Sequence, residues 1–175
     1  SYNSFDVLED GYGINLRPLS MFAASAYRDD PCTRFKPHIL DQNIYDVVDP
    51  GLVAKMHKAI TVMQFKVEGQ IIKRHPEYGL NHRCLLEHVD FDKGTVEVDG
   101  KTYPMLDMKF PTIDPKDPLK LTEQEAELLQ TLKMSFRHSG LLHKHIKFLY
   151  SHGSMYKCCN NNLLYHGCIP LKKDG

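Results

Sequence analysis

The sequence carries no surplus of either charge. Lys plus Arg and Asp plus Glu both number 22, so no global field draws the chain onto nucleic acid or an anionic membrane, and any anion site must be local. Long apolar runs are missing too, none approaching the ~20 residues that a bilayer-spanning helix needs. Ser1-Tyr2-Asn3-Ser4 lacks the basic, apolar and small-residue succession of an export signal. An even cysteine set is also lacking: there are five, two of them adjacent at Cys158 and Cys159. That argues against a disulfide framework and for small buried side chains in a reducing cytoplasm. The expectation is a soluble cytoplasmic chain without nucleic-acid or membrane partners. No initiator Met is present, and the chain stops at Leu171-Lys172-Lys173-Asp174-Gly175, just after a strand-like pattern, so a piece cut from a longer protein is expected. Its 175 residues suit one domain, for which ~100–200 is usual.

What is there reads as α+β, with a mainly helical body. Pro18 opens a stretch in which Leu19, Phe22, Ala23 and Ala26 recur at helical spacing, predicting a helix over 17–29 that ends before Pro31. Asp49-Pro50 is a strong helix start. Val53, Met56, Ile60, Met63, Val67 and Ile71 then mark one apolar stripe up to Pro76, read as packing surface. A hairpin is expected over 89–106, turning at Asp99-Gly100. Pro111, Pro115 and Pro118 make 107–120 an extended connector. Thr122-Glu123-Gln124-Glu125 has the capping-box form and starts a helix with Leu128, Leu129, Leu132 and Phe136 on one side. After Ser139-Gly140 a further helix should turn Leu142, Ile146 and Leu149 inward and stop at Gly153. Two strands around Asn160-Asn161-Asn162 close the chain.

The chemistry concentrates late. The apolar run Leu163-Leu164-Tyr165 reads as a buried strand that delivers His166 at its end, with Gly167 letting the backbone turn close to a ligand. Imidazole suits divalent transition metals, but by pattern alone a lone strand-end His is more often a hydrogen-bonded structural residue. On the long helix Lys55, Lys58, Lys66 and Lys73 lie near one face beside Arg74. Lys66, Lys73 and Arg74 are candidates for holding a substrate phosphate, weighed against a simply solvated basic face. His143 and His145, two apart on a helix, point apart and make a poor chelate. His152, Cys158, Cys159, His166 and Cys168 support a rival reading as a structural zinc-binding module, although no Cys-x-x-Cys knuckle is present. A regulatory or oligomerisation module is a third.

Several strings together carry a resemblance. They are Glu9-Asp10-Gly11-Tyr12-Gly13-Ile14-Asn15, Cys32-Thr33-Arg34-Phe35, Lys55-Met56-His57-Lys58-Ala59-Ile60, Glu68-Gly69-Gln70-Ile71-Ile72-Lys73-Arg74, Phe110-Pro111-Thr112-Ile113-Asp114-Pro115 and Asn162 to Pro170. In this order, spanning nearly the whole chain, they resemble the class III fructose-1,6-bisphosphatases of bacteria, a family similar to calcineurin-like metallophosphatases. The resemblance implies an αββα sandwich incomplete in this chain. Residues 1–15 would be the tail of the upstream core, 16–153 a helical insertion or cap with the hairpin, and 154–175 two strands returning to the core. It implies hydrolysis of fructose 1,6-bisphosphate to fructose 6-phosphate and phosphate in gluconeogenesis, with manganese or magnesium as the divalent metal, and leaves a homo-oligomer open. His166 takes the place of the family's later strand-end metal ligand. The motifs Asp-x-His, Gly-Asp-x-x-Asp-Arg and Gly-Asn-His are lacking, so no catalytic residue is assigned and the chain alone is expected to be inactive.

Overall fold

The computed structural model describes residues 5–38, 49–165 and 167. Its centre is a helix, α2 (Pro50–Arg74), around which the other elements pack. Asp49 accepts a hydrogen bond from the Gly51 N–H at 2.8 Å, and Pro50 takes the first turn, where a missing N–H costs nothing. The helix ends ahead of Pro76, with the His75 N–H still donating to the Ile71 carbonyl at 3.1 Å.

Two apolar clusters flank α2. The larger joins Ala54, Met56, Ala59 and Met63 to Ile14, Leu19, Ala23 and Tyr27 on one side and to Leu128 and Leu132 on another. The smaller gathers Val62 with Leu86, Ile113 and Leu119. Because both sides are packed, the expected single stripe is incomplete. Ile71 is exposed, whereas Lys58 and Lys66, read as a surface row, are fully buried.

The first helix, α1 (Arg17–Ala26), stops short of the expected end near 29. Tyr27 is anchored in the core, and Asp30 turns back so that its Oδ1 accepts from the Cys32 N–H at 2.8 Å. Cys32 then adopts φ 45°, left-handed backbone that only this local bonding makes tolerable.

Three antiparallel strands follow in the order β1 (Val89–Asp90), β2 (Thr95–Val98) and β3 (Lys101–Pro104). The turn is Asp99-Gly100 with φ 50° and 72°, the paired left-handed geometry of a two-residue hairpin loop. β1, pairing Val89 with Val96, is too short to show in the sequence. The connector that follows is strapped along α2. Lys58 Nζ lies 2.7 Å from Asp107 Oδ2, Lys66 Nζ donates to the Thr112 carbonyl at 2.6 Å, and Gln70 Nε2 donates to the Leu119 carbonyl at 2.7 Å.

The helix α3 (Glu123–His138) begins with both bonds of the capping box: Glu125 N–H donates to Thr122 Oγ1 at 3.1 Å, and Thr122 N–H to Glu125 Oε2 at 2.8 Å. Ser139 then caps α4 (Gly140–His152) through the Leu142 N–H at 3.3 Å and donates to the Tyr12 carbonyl at 2.6 Å. Gly153 ends it as expected; a Cβ there would collide with the Leu149 carbonyl oxygen. The inward turn expected of Leu142, Ile146 and Leu149 is not found. No residue of α4 is buried, and Leu149 is 59% exposed. Apolar spacing tells which side of a helix is apolar, not that these residues alone cover it. No helix among the described residues is long and apolar enough to cross a membrane.

Candidate functional site

The terminal hairpin pairs β4 (Tyr156–Cys159) with β5 (Asn162–Tyr165), joining Tyr156 to Tyr165 and Cys158 to Leu163. Asn160 and Asn161 make the turn at φ 51° and 60°, a region asparagine enters more easily than most residues. The expectation of a buried strand is corrected here: Leu163, Leu164 and Tyr165 are 48%, 56% and 52% exposed. His166 itself lies outside the described residues. Gly167, just beyond it, has φ 83°, where a side chain would be strained.

Among the described residues no three His, Cys, Asp or Glu side chains gather so as to hold a metal ion. The donors of the zinc reading are dispersed. Cys158 and Cys159 are neighbours on one strand and so face opposite sides of the hairpin, while His152 Nδ1 is 2.7 Å from Ser151 Oγ and stacks on Phe148. Cys168 lies outside the described residues. His145 Nδ1 meets Tyr12 OH at 3.2 Å, away from His143 in direction. The residues described therefore do not by themselves make a metal centre, and no chemical step is derived through one.

The basic row on α2 divides into two groups. Lys55 donates to the Arg28 carbonyl at 2.8 Å. Lys58 is enclosed between Asp30 at 2.5 Å and Asp107 at 2.7 Å, with the ring centroid of Phe110 5.3 Å from its ammonium. A buried ammonium needs such partners because desolvation otherwise costs several kcal/mol. Burial alone would raise the Asp30 carboxyl, but the Lys58 ammonium and the Cys32 N–H outweigh it and hold Asp30 below the ordinary carboxylate range. Burial, reinforced by the Asp30 charge, pushes the Cys32 thiol up to about 11.

Lys66 departs from the expected phosphate-binding placement. Its ammonium is fully buried, 2.7 Å from Glu125 Oε2, in an ion pair closed to solvent at both ends. Among the described residues Glu125 Oε1 has no hydrogen-bond partner, so the carboxylate's hydrogen bonds run through Oε2. Burial also pushes the nearby Tyr27 hydroxyl up to about 12, although its contact with Thr112 Oγ1 at 3.4 Å pulls the other way.

At the C-terminal end of α2, Lys73 is half exposed and 2.7 Å from Glu87 Oε2, and Arg74 is exposed with no partner among the described residues. Of the three phosphate candidates, only these two face water. Nothing in the sequence marks Asp30 and Asp107 as counter-groups, and the pattern around Glu125 signals only its capping role. Beside this end, exposed Ile71 and half-buried Ile60 and Val67 of the apolar stripe line an open groove with Leu80 and Leu129.

The family model described as Firmicute fructose-1,6-bisphosphatase matches residues 1–175. A Listeria innocua protein described as fructose-1,6-bisphosphatase class 3 is 52% identical over 174 residues, which cover 99% of this chain and 27% of that protein. The Alkaliphilus metalliredigens protein of the same description is 51% identical over 175 residues, covering 100% and 26%. That from Clostridium tetani is 53% identical over 173 residues, covering 99% and 26%. The chain thus spans about a quarter of the length of the curated relatives it matches. No solved structure matches.

Proposed function

The chain belongs to the Firmicute fructose-1,6-bisphosphatase family, and from that premise we propose that it is a structural portion of an enzyme that hydrolyses fructose 1,6-bisphosphate to fructose 6-phosphate and phosphate. The observation that carries this reading is the family match along all 175 residues at about half identity to named class 3 enzymes. In the proposal, 1–15 and 154–175 belong to the phosphatase core, a calcineurin-like sandwich completed by polypeptide outside this chain, and 16–153 is an inserted helical cap. The enzyme is cytoplasmic, works in gluconeogenesis without nucleic-acid or membrane partners, and uses a divalent metal, manganese or magnesium. A homo-oligomer is compatible with the reading.

The residues of this chain then have limited roles. His166 contributes one metal ligand, which alone cannot hold an ion tightly and needs donors from elsewhere in the polypeptide. When bound, the metal would neutralise phosphate oxygens and activate water. Lys73 and Arg74, exposed at the end of α2, offer positive charge to the non-reacting phosphate. Lys58 and Lys66 hold the cap together. The chain alone is inactive.

The test uses the full-length protein: phosphate release from fructose 1,6-bisphosphate with added manganese, against a His166→Ala variant. The variant should fold, by circular dichroism, but lose bound metal and rate. A folded variant with unchanged metal content and rate would make His166 structural. Absence of turnover by the full-length protein would overturn the activity itself.

A further inference from the structure

The basic end of α2 is already partly answered by acids. Lys73 Nζ lies 2.7 Å from Glu87 Oε2, and further back on the helix Glu68 Oε1 lies 2.8 Å from Arg83 Nη2. Arg74, by contrast, has no partner among the described residues. Glu87 is not a loose surface group. It belongs to a tight turn, Leu85–His88, and Cys84 and Leu86 just before it are buried. Leu86 packs with Val62 of α2 in the smaller apolar cluster. The fold thus holds the Glu87 backbone against the end of α2, and its carboxylate reaches Lys73 with little side-chain freedom left to lose. The hydrogen bond and the charge of Glu87 raise the Lys73 ammonium above the ordinary lysine value.

We propose that Glu87 competes with the non-reacting phosphate of the substrate for Lys73, so that this carboxylate sets how tightly the phosphate is held at the end of α2. The proposal rests on the reading of Lys73 and Arg74 given above. A phosphate arriving there meets Arg74 unpaired. Lys73 joins only by turning away from Glu87 or by sharing its protons with it, and in either arrangement the phosphate lies beside a like charge. Both side chains of the pair reach solvent, Lys73 at 53% and Glu87 at 34% exposure, so the exchange needs no opening of the core. Glu87 is therefore an affinity-setting residue that acts through Lys73, without touching the substrate itself.

The test is steady-state kinetics of the full-length protein with fructose 1,6-bisphosphate and manganese, at low ionic strength where exposed charges are least screened, for Glu87→Gln, Lys73→Met and the double variant. Competition predicts that Glu87→Gln lowers KM about two- to fivefold, the span of one exposed ion pair, with kcat moved less. Once Lys73 is replaced, Glu87→Gln should have no further effect. A urea transition accompanies each variant: if Glu87 merely fastens its turn, Glu87→Gln lowers the midpoint and leaves KM in place, which overturns the proposal. KM lowered equally in both backgrounds would make Glu87 a general negative charge and overturn its competition for Lys73. An unchanged KM in Lys73→Met would remove the phosphate role of Lys73 and the competition with it, whereas a raised KM there beside an unmoved Glu87→Gln would sink the competition alone. If the full-length protein releases no phosphate, the concentration-dependent rise in its melting midpoint with fructose 1,6-bisphosphate gives the affinities instead, and the same comparison among variants decides.

Discussion

Replacing Lys66 by Met separates two roles for one residue. The pair it makes with Glu125 is fully buried at both ends. Methionine fills similar space but, among the described residues, leaves the carboxylate with a single donor, the Thr122 N–H at 2.8 Å, and an Oε1 that already lacks a partner. Removing one member of a buried pair costs about 3–5 kcal/mol, because the other charge is stranded in low dielectric. That is a large share of the ~5–15 kcal/mol that holds a domain folded. At about 2–4 °C per kcal/mol for a chain of this size, melting should fall by roughly 6–20 °C. Adding Glu125→Gln, which keeps a capping-box side chain but removes the charge, should recover most of the loss. The assay is a urea or thermal transition followed by circular dichroism for the two single variants and the double. Had Lys66 been a phosphate ligand, the transition would stay within ~1 °C of the parent while KM of the full-length protein for fructose 1,6-bisphosphate rose. That outcome, or a double variant no better than Lys66→Met, would refute the buried-pair argument.

Other expectations are simpler. Lys73→Met and Arg74→Met in the full-length enzyme should raise KM with kcat little changed, because holding the distant phosphate is alike in ground and transition states; steady-state kinetics decide, and unchanged values would return both residues to a solvated face. Asp30 is held below its ordinary range, so its stabilisation is complete above the unfolded carboxyl value of about 3.9 and disappears as pH falls through the lower folded value. Asp30→Asn should therefore flatten the acid limb of a stability–pH curve, and an acid limb as steep as the parent's would count against it. Thr122→Ala should cost about 0.5–2 kcal/mol through the lost cap of α3, read as a lower urea midpoint at constant slope.

Local chemistry was legible in the sequence where the partners are close along the chain. Thr122 and Glu125 are three residues apart, Asp49 caps its own helix, and Asp99-Gly100 is a turn in itself. The buried lysines were not legible. Lysine belongs by default in water, and the groups that permit its burial lie far away: Asp30 is 28 residues from Lys58, Asp107 is 49, and Glu125 is 59 from Lys66. The early end of α1 has the same origin, since Asp30 is drawn out of helical continuation toward Lys58. Leu149 on α4 and Leu163, Leu164 and Tyr165 on β5 are exposed against expectation for another reason. Periodicity identifies an apolar side without saying whose surface covers it. His166, the one metal candidate, lies outside the described residues, so its assignment rests on the family resemblance.

The three fastenings between α2 and the connector at 107, 112 and 119 also decide where this family can change length. Each added helical residue turns everything beyond it by about 100°. A single insertion between Lys58 and Lys66 would swing Lys66 and Gln70 away from their carbonyls while leaving Lys58 in place, stranding Glu125 as well. The same residue added at the Asp99-Gly100 turn, beyond the exposed strand β3, disturbs no fastening. Natural length variation should therefore collect at the hairpin tip and be purged from the middle of α2.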